Sequence, residues 1–128
     1  MSHKSVGING ERELVHAFWA RGWAAIRVAG SGSQRYPAPD LLVGNRNRRL
    51  AIEAKVCGED NKYIEKQDIA DLKEFTTKFG AEPWVAVKFQ KTDWLFITLD
   101  DLEETEKSFA ANIETAKRRG LLIDEVVK

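Results

Sequence analysis

Apolar residues return every three or four positions over residues 9–21, through Leu14, Val15, Phe18 and Trp19, and this spacing predicts a helix that Gly22 stops. Residues 23–29 read as a first strand, followed by a Gly/Ser/Pro loop over 30–38. Two β-rich runs come next, residues 39–43 and 49–56, around a polar break at 44–48 that predicts a hairpin. A second helix is expected over 65–79, where Ile69, Leu72, Phe75, Thr76 and Phe79 recur at helical spacing before Gly80. Residues 84–89 and 94–99 read as two further strands joined by a polar turn. Residues 101–119 read as a charged helix with a thin apolar stripe through Leu102, Phe109 and Ile113. The order α-β-β-β-α-β-β predicts an α/β domain with a mixed sheet covered by helices.

The hairpin carries a consequence for its charges. A turn centred between Arg46 and Asn47 pairs residues whose numbers sum to 93, which sets Asp40 directly opposite Glu53. Their Cβ atoms should then stand roughly 4.5–5.5 Å apart, and Lys55, two residues on, points the same way. Like charges so placed are destabilising unless a cation lies between them. A divalent metal is one answer, and an ion pair between Glu53 and Lys55 with Asp40 capping a loop is the plainer one. Glu11, three and four residues before Leu14 and Val15, projects from the same side of the first helix as the apolar stripe.

Length and composition bound the rest. A chain of 128 residues, 43% hydrophobic and 31% charged, is expected to form one domain over residues 1–128. The opening residues lack the apolar stretch of a signal peptide, and no run approaches the roughly 18 apolar residues of a membrane span. Cys57 is the lone cysteine, so an intrachain disulfide is excluded and a reducing, cytoplasmic setting is expected. His3 and His16 lack partners at metal-ligand spacing. The net charge is zero, yet residues 1–58 hold nine Lys/Arg against four Asp/Glu, and residues 59–128 hold eleven against sixteen. The basic half favours an anionic partner. Arg12, Arg27 and Arg35 are candidate contacts to a nucleic-acid backbone, because arginine binds phosphate in a bidentate fashion. The loop Gly30-Ser31-Gly32-Ser33 lacks the Gly-Lys-Ser/Thr ending of a nucleotide-binding loop.

Pro39-Asp40, a gap of twelve residues, then Glu53-Ala54-Lys55 resembles the signature of the PD-(D/E)XK nucleases, and it falls on two strands joined by a hairpin. More narrowly, the chain resembles the archaeal Holliday junction resolvases, from about Val6 to Leu99. Gly10-Glu11-Arg12-Glu13-Leu14 is similar to their first-helix motif, Arg27-Val28-Ala29-Gly30-Ser31-Gly32-Ser33 to their Ser/Gly loop, and Phe79-Gly80 with Pro83-Trp84-Val85-Ala86-Val87-Lys88-Phe89 to a later strand. The resemblance implies a restriction-endonuclease-like domain, a central mixed five-stranded sheet flanked by helices. It also implies metal ligation by Glu11, Asp40 and Glu53, a catalytic lysine at Lys55 and an active-site serine at Ser31, with Ser33 as a competing alignment. The implied activity is Mg²⁺-dependent resolution of four-way DNA junctions by a homodimer through paired symmetric nicks, with Mn²⁺ as a substitute metal. A restriction-like or repair nuclease acting on duplex and a catalytically silent DNA-binding module are the alternatives. Phe75 and Phe79 read first as core and second as a dimer seam, and Gln67 either contacts the site or faces solvent.

Overall fold

The computed structural model describes residues 3–128, with backbone alone at positions 3, 4 and 32, so the His3 side chain lies outside the described residues. Helix α1 (His3–Ala20) leads into strand β1 (Ala24–Arg27), and a long loop carries the chain to the hairpin β2 (Leu41–Gly44) and β3 (Arg49–Cys57). Strand β4 (Asn61–Glu65) runs directly into helix α2 (Lys66–Phe79), followed by β5 (Glu82–Phe89) and β6 (Trp94–Ile97). The chain finishes with β7 (Glu103–Glu104), β8 (Ser108–Asn112) and the short helices α3 (Ile113–Arg119) and α4 (Ile123–Val126). None of the described helices is long and apolar enough to cross a membrane.

The main sheet has five strands in the order β1-β2-β3-β5-β6, with β3 and β5 parallel and every other pairing antiparallel. This is the mixed five-stranded sheet the sequence led us to expect. Its two faces bury separate clusters. On one, Leu14 and Phe18 of α1 pack against Leu41, Val43, Leu50, Ile52, Ala86 and Phe96. On the other, Ile69 of α2 meets Val85, Val87, Leu95 and Ile97, joined by Ile64 and Ala111. Burying an aliphatic side chain of this size contributes about 1.5–3 kcal/mol, so the two clusters dominate the stability of the domain. At Gly10 the helix comes so close to the sheet that an added Cβ would stand 2.8 Å from Val56 Cγ2. That close approach brings the next residue, Glu11, to the sheet.

The hairpin has the expected register: Leu41 pairs with Ile52, Leu42 with Ala51 and Val43 with Leu50. Asn45 sets it, because its side-chain oxygen accepts from the backbone N–H of Asn47 and of Arg48, both at 2.8 Å, and thereby builds the turn.

Four expectations need correction. The first helix begins at His3 rather than near residue 9, and the first strand is shorter than residues 23–29, ending at Arg27 where the Gly/Ser loop departs. The polar stretch before α2 contains β4, which a half-exposed strand with Ile64 alone buried does not announce. The helix expected over 101–119 is a strand pair followed by a helix of seven residues, and β4-β8-β7 forms a second, antiparallel sheet. The break falls at Asn112, whose side chain accepts from the N–H groups of Glu114 and Thr115 and so starts a helix instead of sitting inside one.

Candidate active site

Asp40 ends the loop from β1, one residue before β2, with Pro37 and Pro39 holding the approach extended. The N–H of Val28 donates to the Asp40 carbonyl at 2.8 Å, continuing the β1–β2 ladder by one place. The β2–β3 register, continued by the same step, sets Asp40 opposite Glu53. Both carboxylates are nearly closed to solvent, Asp40 at 8% and Glu53 at 7% exposure.

The neighbours of the pair are specific. Ser31 Oγ donates to Asp40 Oδ1 at 2.6 Å and the Ala54 N–H donates to Oδ2 at 3.0 Å, so both oxygens of Asp40 are held. Lys55 Nζ lies 3.4 Å from Glu53 Oε2. Burial, and then the charge of Asp40, pushes the Glu53 carboxyl up to about 8. Burial alone would lower the Lys55 pKa, but the charges of Glu53, Asp40 and Asp68 outweigh it and raise the net value, so the ammonium stays charged at neutral pH. Glu11 is half-buried, its pKa raised by burial and then by Asp40, and it accepts from Arg27 at 3.4 Å.

Asp40, Glu53 and Lys55 therefore converge, as the hairpin spacing predicts, and Ser31, which the resemblance alone suggested, joins them. They line a cavity of about 410 Å³ together with Gln34, Arg35 and Tyr36 from the loop and Glu65, Gln67, Asp68 and Asp71 from the start of α2. Glu11 stands outside that cavity, tied to Arg27. No three acidic, histidine or cysteine side chains among the described residues meet as a preformed cage. Of the two serines, Ser31 is the one that reaches Asp40, while the exposed Ser33 hydroxyl donates back to the Gly30 carbonyl at 3.1 Å. Arg35 is exposed beside the cavity, and Arg12 is exposed on α1. Gln67 lines the cavity mouth while donating to Asp71 at 2.8 Å. Phe79 is 48% exposed and stacks on Phe75 at 5.2 Å, so it is not a core residue.

The acidic wall of Glu65, Asp68 and Asp71 was not anticipated. Glu65 ends β4, Asp68 lies in the first turn of α2, where an acid is an ordinary complement to the helix dipole, and Asp71 follows one turn on, so nothing in their spacing signals that α2 begins at the site. Chemically, the centre is two buried carboxylates that need a proton or a cation between them. Hard oxygen donors of this kind suit a divalent ion such as Mg²⁺, which typically takes one or two protein carboxylates and completes its shell with water and phosphate.

The family model described as archaeal Holliday junction resolvase (Hjc) matches residues 2–128. The crossover junction endodeoxyribonuclease Hjc of Archaeoglobus fulgidus is 42% identical over 123 residues, 96% of this chain and 90% of that protein. The corresponding protein of Sulfolobus acidocaldarius is 37% identical over 131 residues, 100% of this chain and 90% of its own length. In three dimensions, the structure of Archaeoglobus fulgidus Hjc, a Holliday junction resolvase from an archaeal hyperthermophile, superposes with a TM-score of 0.88 at 39% identity, covering 95% of this chain and 100% of that one. That likeness makes the five-stranded domain a restriction-endonuclease-like fold. With the Asp40–Glu53–Lys55 hairpin in the expected register and the match running almost end to end, the chain belongs to the archaeal Holliday junction resolvase family.

Proposed function

We propose that this chain is a structure-selective endodeoxyribonuclease that resolves four-way DNA junctions by hydrolysing phosphodiester bonds at the Asp40–Glu53 centre. The observation that carries the reading is the buried, facing pair of carboxylates, with both oxygens of Asp40 already held and Lys55 beside Glu53. Asp40 and Glu53 would hold Mg²⁺, or Mn²⁺ in its place, with Glu11 as a third acid close enough to feel the charge of Asp40. Such an ion, when bound, polarises the phosphate and makes its water a better nucleophile.

The chain's own residues do the rest. Ser31 and the Ala54 N–H fix the orientation of Asp40, so its carboxylate does not reorganise during the reaction. Lys55 places a positive charge beside the reacting phosphate, where it can orient the attacking water and offset the charge that develops in the transition state. Arg12, Arg27 and Arg35 serve the DNA backbone, with Arg27 also steadying Glu11. Paired nicks require two such centres, and a second copy of this chain supplies the other. What supports a homodimer is an apolar groove of about 730 Å³ bordered by Trp19, Ile26, Leu42 and Phe79, with Trp19 and Ile26 each 58% exposed.

The test is Asp40→Asn. It should abolish junction cleavage in Mg²⁺ while junction affinity changes by less than about threefold, because the arginine contacts that supply phosphate affinity are untouched. Retained nicking by this variant would refute the assignment.

A further inference from the structure

The loop between Ser31 and Asp40 holds the most solvent-exposed large apolar side chain among the described residues, Tyr36, at 70%. A single exposed tyrosine needs no explanation in itself. This one has three further properties. It lines the same cavity as Asp40, Glu53 and Lys55. Its ring carries the Arg35 guanidinium, with Cζ 5.4 Å from the centroid, so a positive charge is already stacked against it. It is followed by Pro37 and leads to Pro39, which limit the backbone freedom that a projecting ring would otherwise have.

Electrostatics sets how DNA can enter. The α2 wall of the cavity is acidic, through Glu65, Asp68 and Asp71, and repels a phosphate backbone. The loop wall offers Gln34, Arg35 and Tyr36. A strand placing a phosphate over Asp40 and Glu53 therefore passes along the loop, across Tyr36, with Arg35 available to the neighbouring phosphate. In continuous duplex the base faces are covered by their neighbours. At a branch point the stack is interrupted and a face becomes available.

We propose that Tyr36, backed by Arg35, is the platform on which a nucleobase beside the cleaved phosphate stacks, and that this contact helps the enzyme prefer branched DNA over continuous duplex. The inference rests on the reading that the cavity receives the scissile phosphate. Aromatic stacking on a base is sequence-tolerant, so the contact selects for DNA shape without reading sequence.

The experiment uses the full chain and four-way junctions carrying 2-aminopurine at single positions flanking the crossover, bound in EDTA to prevent cutting. At one or more positions the probe is quenched in the wild-type complex, stays quenched with Tyr36→Phe and Tyr36→Trp, and brightens with Tyr36→Ala. In Mg²⁺, Tyr36→Ala raises KM for the junction about tenfold, the range expected for loss of one stacked base, with kcat within about twofold. Unchanged 2-aminopurine signals and KM in Tyr36→Ala overturn the inference. So does a Tyr36→Phe defect as large as that of Tyr36→Ala, or a Tyr36→Ala protein that sediments as a smaller species than the wild type, which would place the ring in contact with the second copy. Wild-type protein that cuts the junction with no dependence of the probe on residue 36 refutes this inference alone. Wild-type protein that quenches the probe yet never cuts refutes the nuclease reading alone.

Discussion

Replacing Glu53 with glutamine should make the metal-free protein more stable, by a margin that opens above about pH 4.5 and is nearly complete by about pH 8. The Glu53 carboxyl is pushed from 4.5 to about 8 because it is buried and faces Asp40. Folding thus favours its protonated form. The associated stability is complete below about pH 4.5, where folded and unfolded chains both hold the proton, and drains away as pH rises through about 8, where the unfolded chain has long lost it. A shift of this size corresponds to at most about 4–5 kcal/mol at 1.36 kcal/mol per pH unit, and relaxation around the site reduces that to roughly 2–4 kcal/mol. Glutamine mimics the protonated acid, since its amide can donate to Asp40 where the carboxyl O–H would. Thermal unfolding in EDTA at pH 5 and pH 8 is the assay. Glu53→Gln should match the wild type to within about 1 kcal/mol at pH 5 and melt roughly 7–15 °C higher at pH 8. Equal melting temperatures at pH 8, or one constant offset at both values, would refute the claim that two buried acids repel each other at this centre.

Two further outcomes follow from the local geometry. Ser31→Ala removes the 2.6 Å bond to Asp40 and should lower junction cleavage by about 10–100-fold, whereas Ser33→Ala, which loses a bond to Gly30 alone, should stay within about twofold; equal effects in a nicking assay would contradict the assignment of Ser31. Lys91 holds φ at +70° in the β5–β6 turn, so Lys91→Gly should raise stability by about 0.5–1 kcal/mol in chemical denaturation, and a loss of stability would show that the lysine side chain has a role there.

The residues that proved legible from sequence are those whose position follows from a short-range rule. The polar break around Asn45 and Asn47, flanked by alternating apolar residues, set the hairpin register, and the register alone put Asp40 opposite Glu53. Helix α2 was readable because Ile69, Leu72 and Thr76 bury one face at helical spacing over about two turns. The second sheet was not. Strand β7 has two residues, β4 buries Ile64 alone, and Phe109 in β8 happens to fall four residues before Ile113, which imitates a helical stripe. These short strands take their stability from pairing with one another, a long-range contact no local period encodes. The acidic wall of the cavity was hidden for the same reason, because it is the β4–α2 junction, folded back over β3, that brings Glu65 and Asp68 to Lys55. The repeated Gly-Ser left Ser33 competing with Ser31 in sequence, and it is the turn at Gly30, where φ is +67°, that sends Ser31 to Asp40 and Ser33 back to the loop.

The proposed role of the Asp40–Glu53 centre, metal-dependent cutting of DNA at a four-way junction, is open to a single comparison of substrates. The most direct measurement offers the protein a four-way junction, a linear duplex and a single strand side by side, each in Mg²⁺ and in EDTA, with the cut positions mapped on every strand. Paired, symmetric nicks in opposing strands of the junction are expected in Mg²⁺, with intact DNA in every other lane. Cutting in EDTA, or cutting of linear duplex as fast as junction, would contradict that role.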